Sequence, residues 1–282
     1  MTNTLLLCIG AQKAGTTWLA DYMRAHPDVH MPPVKEVHFF DARFAPKWCA
    51  KYEEEMLAEF QAETAGLTLQ TCGDPALQQK LHAMLLRFRM IANPTEYIRF
   101  MSWGAQGRSV LFEATPDYSM VDAAGFQAMK NMHPDTRLIF LLRNPADRYW
   151  SSMKFNCTHN SAFDIDEMFD RLIDREDFML LANYDRTIRE ALKIFEPGKL
   201  HIEFYERLFD QSAVDRICRF AGIAPHKADF GGRSNASIAG DMPAERRAQA
   251  VKAYAPVYRE IAGRFQGDIP DNWKRDLELL DG

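Results

Sequence analysis

The chain lacks the features that mark membrane-spanning and nucleic-acid-binding proteins. It contains no run of about 18 or more apolar residues, so no transmembrane helix and no stable membrane insertion is expected. Its formal net charge is −5, so neither nucleic acid nor an anionic membrane is the expected partner. The first residues carry no positively charged segment ahead of the apolar run, which favours a first strand over a signal peptide.

Cysteine pairs and metal-binding spacings are also missing. The five cysteines are scattered, odd in number and never arranged as C-x-x-C. This pattern fits reduced thiols better than a disulfide framework or a zinc site, and the histidines show no metal spacing. We therefore expect a cytoplasmic protein whose site holds no metal.

The composition is that of an ordinary globular enzyme. Of 282 residues, 47% are hydrophobic and 26% are charged, with no repeat or low-complexity segment. This length allows one large domain or two small ones. We expect residues 1–282 to form a single domain.

Apolar strand patterns alternate with helical patterns. Strands are predicted at residues 5–10, 35–40, 110–114, 138–142 and 200–204. Helices are predicted at residues 16–25, 123–132, 146–154, 166–175, 178–195, 210–221 and 243–265. The alternation predicts an α/β fold, a three-layer α/β/α domain with a central, mostly parallel sheet whose strand ends bind the ligand. Residues 42–108 show no obvious strand and are predicted to be a helical insertion over the acceptor site.

The loop "GAQKAGTTW" after the first strand has the glycine spacing of a phosphate-binding P-loop. Inward-pointing N–H groups and the dipole of the following helix suit a tetrahedral oxyanion, so a P-loop-like nucleotide-binding core is expected. However, no lysine follows Gly15, and the nearest candidate for a metal-binding carboxylate is Glu113. The loop's own lysine, Lys13, suits the bridging oxygen of an anhydride that needs no metal.

Two segments resemble the donor-binding motifs of sulfotransferases, which use 3′-phosphoadenosine 5′-phosphosulfate (PAPS). "GAQKAGTTWL" is similar to the family's 5′-phosphosulfate loop, and "RLIFLLRNPADRYWSSMKF" to its 3′-phosphate segment. In the second segment Arg143 ends a buried strand and Ser151 follows eight residues later, and both side chains can donate to a phosphate. The resemblance implies PAPS as the donor and the following binding residues: Lys13, Ala14, Gly15, Thr16, Thr17, Trp18, Arg143, Ser151 and Arg233.

Two of these positions rest on weaker motifs. Trp18 matches an indole that stacks on adenine in cytosolic sulfotransferases, although a core position fits the pattern nearly as well. Arg233 lies in "GGRSNAS", at the position of a loop that closes over the nucleotide in relatives.

A third segment, "KEVHFFD", resembles the part of heparan sulfate 3-O-sulfotransferases that carries the catalytic glutamate. The resemblance implies Glu36 as general base, supported by His38 and Asp41, with Lys13 stabilising the leaving oxygen. In an extended strand Glu36 and His38 would share one face. "FEATPDY" is similar to a later family segment, but Ala114 stands where the heparan enzymes have a lysine, so a heparan-like acceptor is not implied.

The acceptor is less well defined by sequence. We expect in-line transfer to a hydroxyl or amine of a small molecule, carbohydrate or lipid. The basic segment 80–108 is either a helix with a solvated basic face or a wall that receives an anionic or amphiphilic acceptor. Tyr184 fits either the acceptor cleft or ordinary helix packing.

Two other functions remain open at this point. One is a P-loop kinase or NTPase that uses ATP–Mg, and the other is a non-catalytic nucleotide-binding protein on the same fold. Lys13 and Glu36 argue against the second, and Ala114 argues mildly for it.

Overall fold

The computed structural model describes residues 4–159, 164–231 and 240–281 of the chain. Five strands form its sheet: β1 (Thr4–Cys8), β2 (Val29–His30), β3 (Val110–Ala114), β4 (Thr136–Leu142) and β5 (Leu200–Phe204). Their order is β2-β3-β1-β4-β5, and every neighbouring pair is parallel. The predicted α/β fold with a mostly parallel central sheet is confirmed.

Helices make up most of the remaining described chain. They are α1 (Thr16–Ala25), α2 (Asp41–Phe44), α3 (Pro46–Cys49), α4 (Lys51–Ala65), α5 (Pro75–Ala92), α6 (Glu96–Ser102), α7 (Ala123–Met132), α8 (Pro145–His159), α9 (Ile165–Leu172), α10 (Glu176–Ala182), α11 (Tyr184–Leu192), α12 (Tyr205–Leu208), α13 (Gln211–Ala221), α14 (Ala244–Ala253), α15 (Ala255–Arg264) and α16 (Asp271–Asp281). Two short 3₁₀ segments lie at Pro116–Met120 and Pro197–Lys199. None of the described helices combines the length and apolar character that crossing a bilayer requires.

The central strands β1, β3 and β4 are mostly apolar because helices cover both faces of the sheet. All five residues of β1 and all five of β3 are buried, as are the last five of β4. Continuous apolar runs are typical of such doubly covered parallel strands. The strands predicted at 110–114 and 200–204 therefore have their predicted bounds.

The strand predicted at residues 35–40 is wrong. β2 lies earlier, at Val29–His30, and Glu36 and His38 have left-handed backbones with φ of 57° and 52°. A strand requires strongly negative φ values, so these residues cannot extend the sheet. The backbone N–H groups of this segment donate to side chains and not to a neighbouring strand. Val37 N donates to Thr115 Oγ1 at 3.0 Å, and Phe39 N donates to the Tyr118 hydroxyl at 3.2 Å.

Two long predicted helices are each divided in two. The helix predicted at 178–195 is interrupted at Asn183, whose side chain accepts from Arg186 N at 3.1 Å and caps α11. The helix predicted at 243–265 is interrupted at Tyr254, where a proline occupies the first turn of α15. α16 was not predicted, and its Trp273 is completely buried.

Residues 42–108 contain most of α2, all of α3 to α6, and no strand, and this stretch is described throughout. Besides the main core, a small separate cluster of buried apolar residues forms where α3 meets the 3₁₀ segment and α10. Its buried members are Ala45, Cys49, Met120 and Leu181. All five cysteines are free thiols.

Candidate active site

A cleft of about 840 Å³ opens at the carboxyl ends of the strands. Its walls come from the loop after β1, from residues 35–36, from Arg143 after β4, and from residues 151–156 of α8. Ligands of parallel α/β sheets bind at this edge. Lys13, Glu36, Arg143 and Ser151, which lie far apart in sequence, all line this one cleft.

The loop between β1 and α1 is fixed against β4. Ala11 N donates to Leu141 O at 2.7 Å, and Leu141 N donates to Gly10 O at 2.7 Å. Gly15 has a φ of 88°, and a Cβ there would lie 2.9 Å from Leu208 Cδ2. Only glycine therefore fits this close approach, which turns the chain into α1.

The N-terminus of α1 faces the cleft without a side-chain cap. The first N–H groups of a helix have no intrahelical partner, so those around Thr16 and Thr17 present a positive end to the cleft. Ala14 is fully buried and does not line the cleft, and its N–H donates to Ala11 O at 3.2 Å.

Lys13 occupies the loop with a left-handed backbone, φ 65°. Its ammonium lies 3.7 Å from the centre of the Phe155 ring. Burial, together with the nearby Arg143 guanidinium, lowers the pKa of Lys13 to about 8. The free protein therefore holds this cation at an energetic cost that an anionic ligand would relieve.

Arg143 follows β4 and reaches back to the loop. Its Nη1 donates to Lys13 O at 2.7 Å, and its guanidinium lies 4.4 Å from the centre of the Tyr205 ring. Within the described part of the chain, Arg143 Nε is buried and has no hydrogen-bond partner. A buried donor without an acceptor is costly, and an anion bound at Arg143 would relieve that cost. Six basic side chains line the cleft against three acidic ones, which favours the same ligand.

Glu36 is connected to the start of α1 through Lys35. Lys35 Nζ donates to Glu36 Oε1 at 2.7 Å and to Thr17 Oγ1 at 2.9 Å. The Glu36 side chain is 39% exposed and faces the cleft. Lys35 thus holds a carboxylate beside the positive end of the helix.

His38 lies behind Glu36, outside the cleft. Its Nε2 is 4.0 Å from Glu36 Oε2, and its Nδ1 donates to Asp41 Oδ2 at 2.6 Å. Although burial opposes a charge on the ring, the hydrogen bond and charge of Asp41 raise the pKa of His38 above its usual value. Glu36 and His38 do come together, but through left-handed backbones and not through strand alternation.

A sequence model of the sulfotransferase family matches residues 6–227, which is most of the chain. The chain belongs to the sulfotransferase family. No curated protein sequence matches it.

Two solved sulfotransferase structures share the architecture. A sulfotransferase from Alicyclobacillus acidocaldarius superposes with a TM-score of 0.68 at 19% identity, over 97% of this chain and 100% of that one. Sulfotransferase STF9 from Mycobacterium avium superposes with a TM-score of 0.50 at 16% identity, over 95% of this chain and 78% of that one. At these identities the likeness establishes a shared fold.

Among the cleft residues of this sulfotransferase that sequence reasoning missed are Lys35, Tyr52 and Asp117. Asp117 is buried, and that burial raises its pKa to about 6, while the Tyr52 hydroxyl donates to Asp117 Oδ2 at 3.2 Å. The position of Asp117 in "FEATPDY" was the available signal, because it directly precedes a motif tyrosine. Asp117, His38 and Asp41 place ligand atoms within 4.8 Å of one another and could hold a metal ion, which the sequence did not lead us to expect.

Three further residues were considered for the site from the sequence: Trp18, Tyr184 and Arg233. Trp18 is 7% exposed and packs between Tyr22 and Phe230, as the core interpretation predicts, and it also borders the cleft. Its stacking on adenine stays a prediction. Tyr184 is fully buried with its hydroxyl donating to Arg143 O at 2.8 Å, so the packing interpretation is correct and the cleft interpretation is wrong. Arg233 lies outside the described residues.

The basic residues of segment 80–108 do not line the cleft. Lys80 pairs with Glu63 at 2.5 Å and Arg87 with Glu59 at 3.4 Å, while Arg89 and Arg99 both pair with Glu96. The interpretation of this segment as a basic wall for the acceptor is therefore wrong.

Glu113, the nearest candidate for a metal-binding carboxylate, is buried away from the cleft. It accepts hydrogen bonds from Tyr97, from Tyr118 at 2.6 Å and from Thr115 at 2.7 Å. These bonds hold the chain after β3 in place. They account for a buried carboxylate at this position without a metal-binding role.

Proposed function

We propose that this sulfotransferase transfers a sulfuryl group from PAPS to a hydroxyl or amine of a small acceptor. The observation that carries the proposal is the meeting of Lys13, Glu36 and Arg143 in one cleft, where Arg143 Nε has no hydrogen-bond partner among the described residues. A general base thus faces the same space as two cations suited to an anionic donor.

The residues present fit a donor with phosphates at both ends. Arg143 Nε is an unused buried donor, and Ser151 lies half-buried in the same wall. We assign these two residues to the 3′-phosphate and residues 13–17 to the 5′-phosphosulfate, where the free N–H groups of α1 favour an anion. Trp18, at the border of the cleft, is placed beside the adenine.

Each catalytic side chain has one task in this proposal. When bound, PAPS supplies the sulfuryl group, whose bond to the bridging oxygen breaks as the acceptor oxygen or nitrogen bonds to sulfur. Glu36 accepts the proton that the acceptor loses. Lys13 stabilises the negative charge that develops on the leaving oxygen. His38 and Asp41 act behind Glu36 as positioning residues, because His38 borders the carboxylate and Asp41 fixes the imidazole.

The kinase or NTPase alternative is less well supported. The position after Gly15 is occupied by Thr16 where a nucleotide-triphosphate loop has its lysine, and Glu113 is fully engaged by its own neighbours. One observation favours a metal-dependent reaction: His38, Asp41 and Asp117 place ligand atoms close enough together to hold a metal ion.

The decisive comparison uses labelled donors. The purified protein is incubated with ³⁵S-labelled PAPS, or with γ-³²P-labelled ATP and Mg²⁺, together with the same panel of alcohols, amines, sugars and lipids. We expect labelled sulfate on an acceptor and no labelled phosphate. Phosphate transfer without sulfate transfer would establish the kinase alternative, and neither transfer with retained nucleotide binding would favour the non-catalytic one.

The pKa of Lys13 predicts how donor binding depends on pH. Lys13 is charged below its pKa of about 8 and neutral above it. The phosphates of 3′-phosphoadenosine 5′-phosphate (PAP) stabilise the charged form, so PAP binding should weaken above pH 8 by up to about tenfold per pH unit. Calorimetry between pH 7 and 10 measures this, and binding above pH 8 should take up protons.

Lys13→Arg is the matched control, because arginine remains charged throughout this range. Its affinity for PAP should stay constant up to pH 10. If wild-type affinity is equally constant, Lys13 does not contact the bound nucleotide.

A further inference from the structure

One wall of the cleft is built from the small separate hydrophobic cluster and not from polar residues. Five of its side chains line the cleft, and we call them the apolar wall: Trp48, Cys49, Tyr52, Met120 and Leu181. Cys49, Met120 and Leu181 are buried, while Trp48 and Tyr52 are half-buried.

The apolar wall adjoins the proposed base. The Tyr52 ring stacks on His38 with 3.5 Å between ring centres, and His38 Nε2 lies 4.0 Å from Glu36 Oε2. A group lying on this wall therefore has its end close to the Glu36 carboxylate.

Two pairs of opposite charges beside the apolar wall are already formed. Arg175 donates twice to Asp177, each time at 2.6 Å, and Lys47 donates to Glu176 at 2.5 Å. A polyanionic acceptor would have to break such pairs, and a sugar would leave its hydroxyls facing rings and a thioether without partners. Methionine and aromatic side chains instead suit hydrocarbon of variable shape.

We propose that the acceptor is a small apolar alcohol whose hydrocarbon body lies on the apolar wall. The hydroxyl then meets Glu36, which takes its proton as the oxygen bonds to sulfur and the bond between sulfur and the bridging oxygen of PAPS breaks. A cleft of about 840 Å³ is near the upper end of small-molecule sites, which span about 300–1,000 Å³, and leaves room for such an acceptor beside the donor. This inference rests on the proposed sulfuryl transfer.

The test is a chain-length series with a constant reacting group. The ratio kcat/KM is measured with ³⁵S-labelled PAPS for phenol and its 4-alkyl derivatives from methyl to hexyl, with glucose and a sulfated heparan disaccharide for comparison. Burying one more methylene should raise kcat/KM about three- to fourfold until the wall is covered. Calorimetric titration of 4-butylphenol into the PAP complex provides a second readout that needs no turnover.

In Trp48→Ala, kcat/KM should depend much less on the length of the alkyl chain, and 4-butylphenol should bind about tenfold or more weakly. The affinity for PAP should stay unchanged. Trp103→Ala is the matched control, since Trp103 is also half-buried but stacks on His82 and does not line the cleft. It should leave the series as in wild type.

Failure of the inference is distinguishable from failure of the proposed function. If PAP binds and sulfate reaches sugars in preference to the phenols, or reaches no phenol, the apolar acceptor is wrong while donor binding stands. The same dependence of kcat/KM on alkyl chain length in wild type and in Trp48→Ala would also overturn the inference. If PAP itself does not bind, the proposed function fails first.

Discussion

Glu36→Gln should reduce sulfuryl transfer by about a hundredfold to ten-thousandfold while leaving PAP affinity within about twofold of wild type. Glutamine keeps the size of the side chain and can still accept from Lys35, but it cannot take a proton from the acceptor. General base catalysis contributes about this factor in enzymes. Initial rates with saturating PAPS give the first quantity, and calorimetry with PAP gives the second.

Glu63→Gln is the matched control for that variant. Glu63 also pairs with a lysine, Lys80, at 2.5 Å, but it lies on α4 and does not line the cleft. Its rate should equal that of wild type. Normal turnover in Glu36→Gln would remove Glu36 from the role of base and direct attention to Asp117, the buried carboxylate that shares the cleft.

Arg143→Ala should weaken PAP binding about a hundredfold, which corresponds to roughly 3 kcal/mol. The side chain is half-buried and contributes a buried, unused Nε donor, and hydrogen bonds to a charged phosphate are among the stronger ones in proteins. Adenosine 5′-phosphate, which is PAP without its 3′-phosphate, should lose much less affinity. The two calorimetric titrations together isolate the contact to the 3′-phosphate.

The comparison of nucleotides is necessary because Arg143 also donates to Lys13 O and so holds the loop. Loosening of the loop would weaken the binding of both nucleotides equally. That result would contradict the assignment of Arg143 to the 3′-phosphate. Arg175→Ala is the matched control: Arg175 lines the same cleft, but its guanidinium is paired with Asp177. It should leave both affinities unchanged.

The architecture was readable from sequence because buried parallel strands are apolar without interruption. Residues 5–8 and 138–142 show this directly, and the carboxyl ends of such strands meet at one edge. The meeting of Lys13 and Arg143 in one cleft follows from that rule, since each residue lies just beyond the end of a central strand.

The parts that could not be predicted depend on contacts between distant segments. Residues 35–40 have a strand-like apolar pattern, yet Thr115 and Tyr118 accept their N–H groups and the backbone turns left-handed. Asp117 looks like a turn residue in sequence, and its burial in the fold, together with the nearby charges of Asp41 and Glu36, raises its pKa. Neither a periodicity nor a local motif encodes such long-range partners.

Calorimetric titration of the wild-type protein with PAP, in the presence of Mg²⁺ and again in the presence of EDTA, tests the central claim most directly. We predict one binding site with the same affinity in both buffers, and weaker binding of ATP–Mg than of PAP. Absence of PAP binding, binding that requires Mg²⁺, or tighter binding of ATP–Mg would contradict a cleft built for a PAPS donor around Lys13 and Arg143.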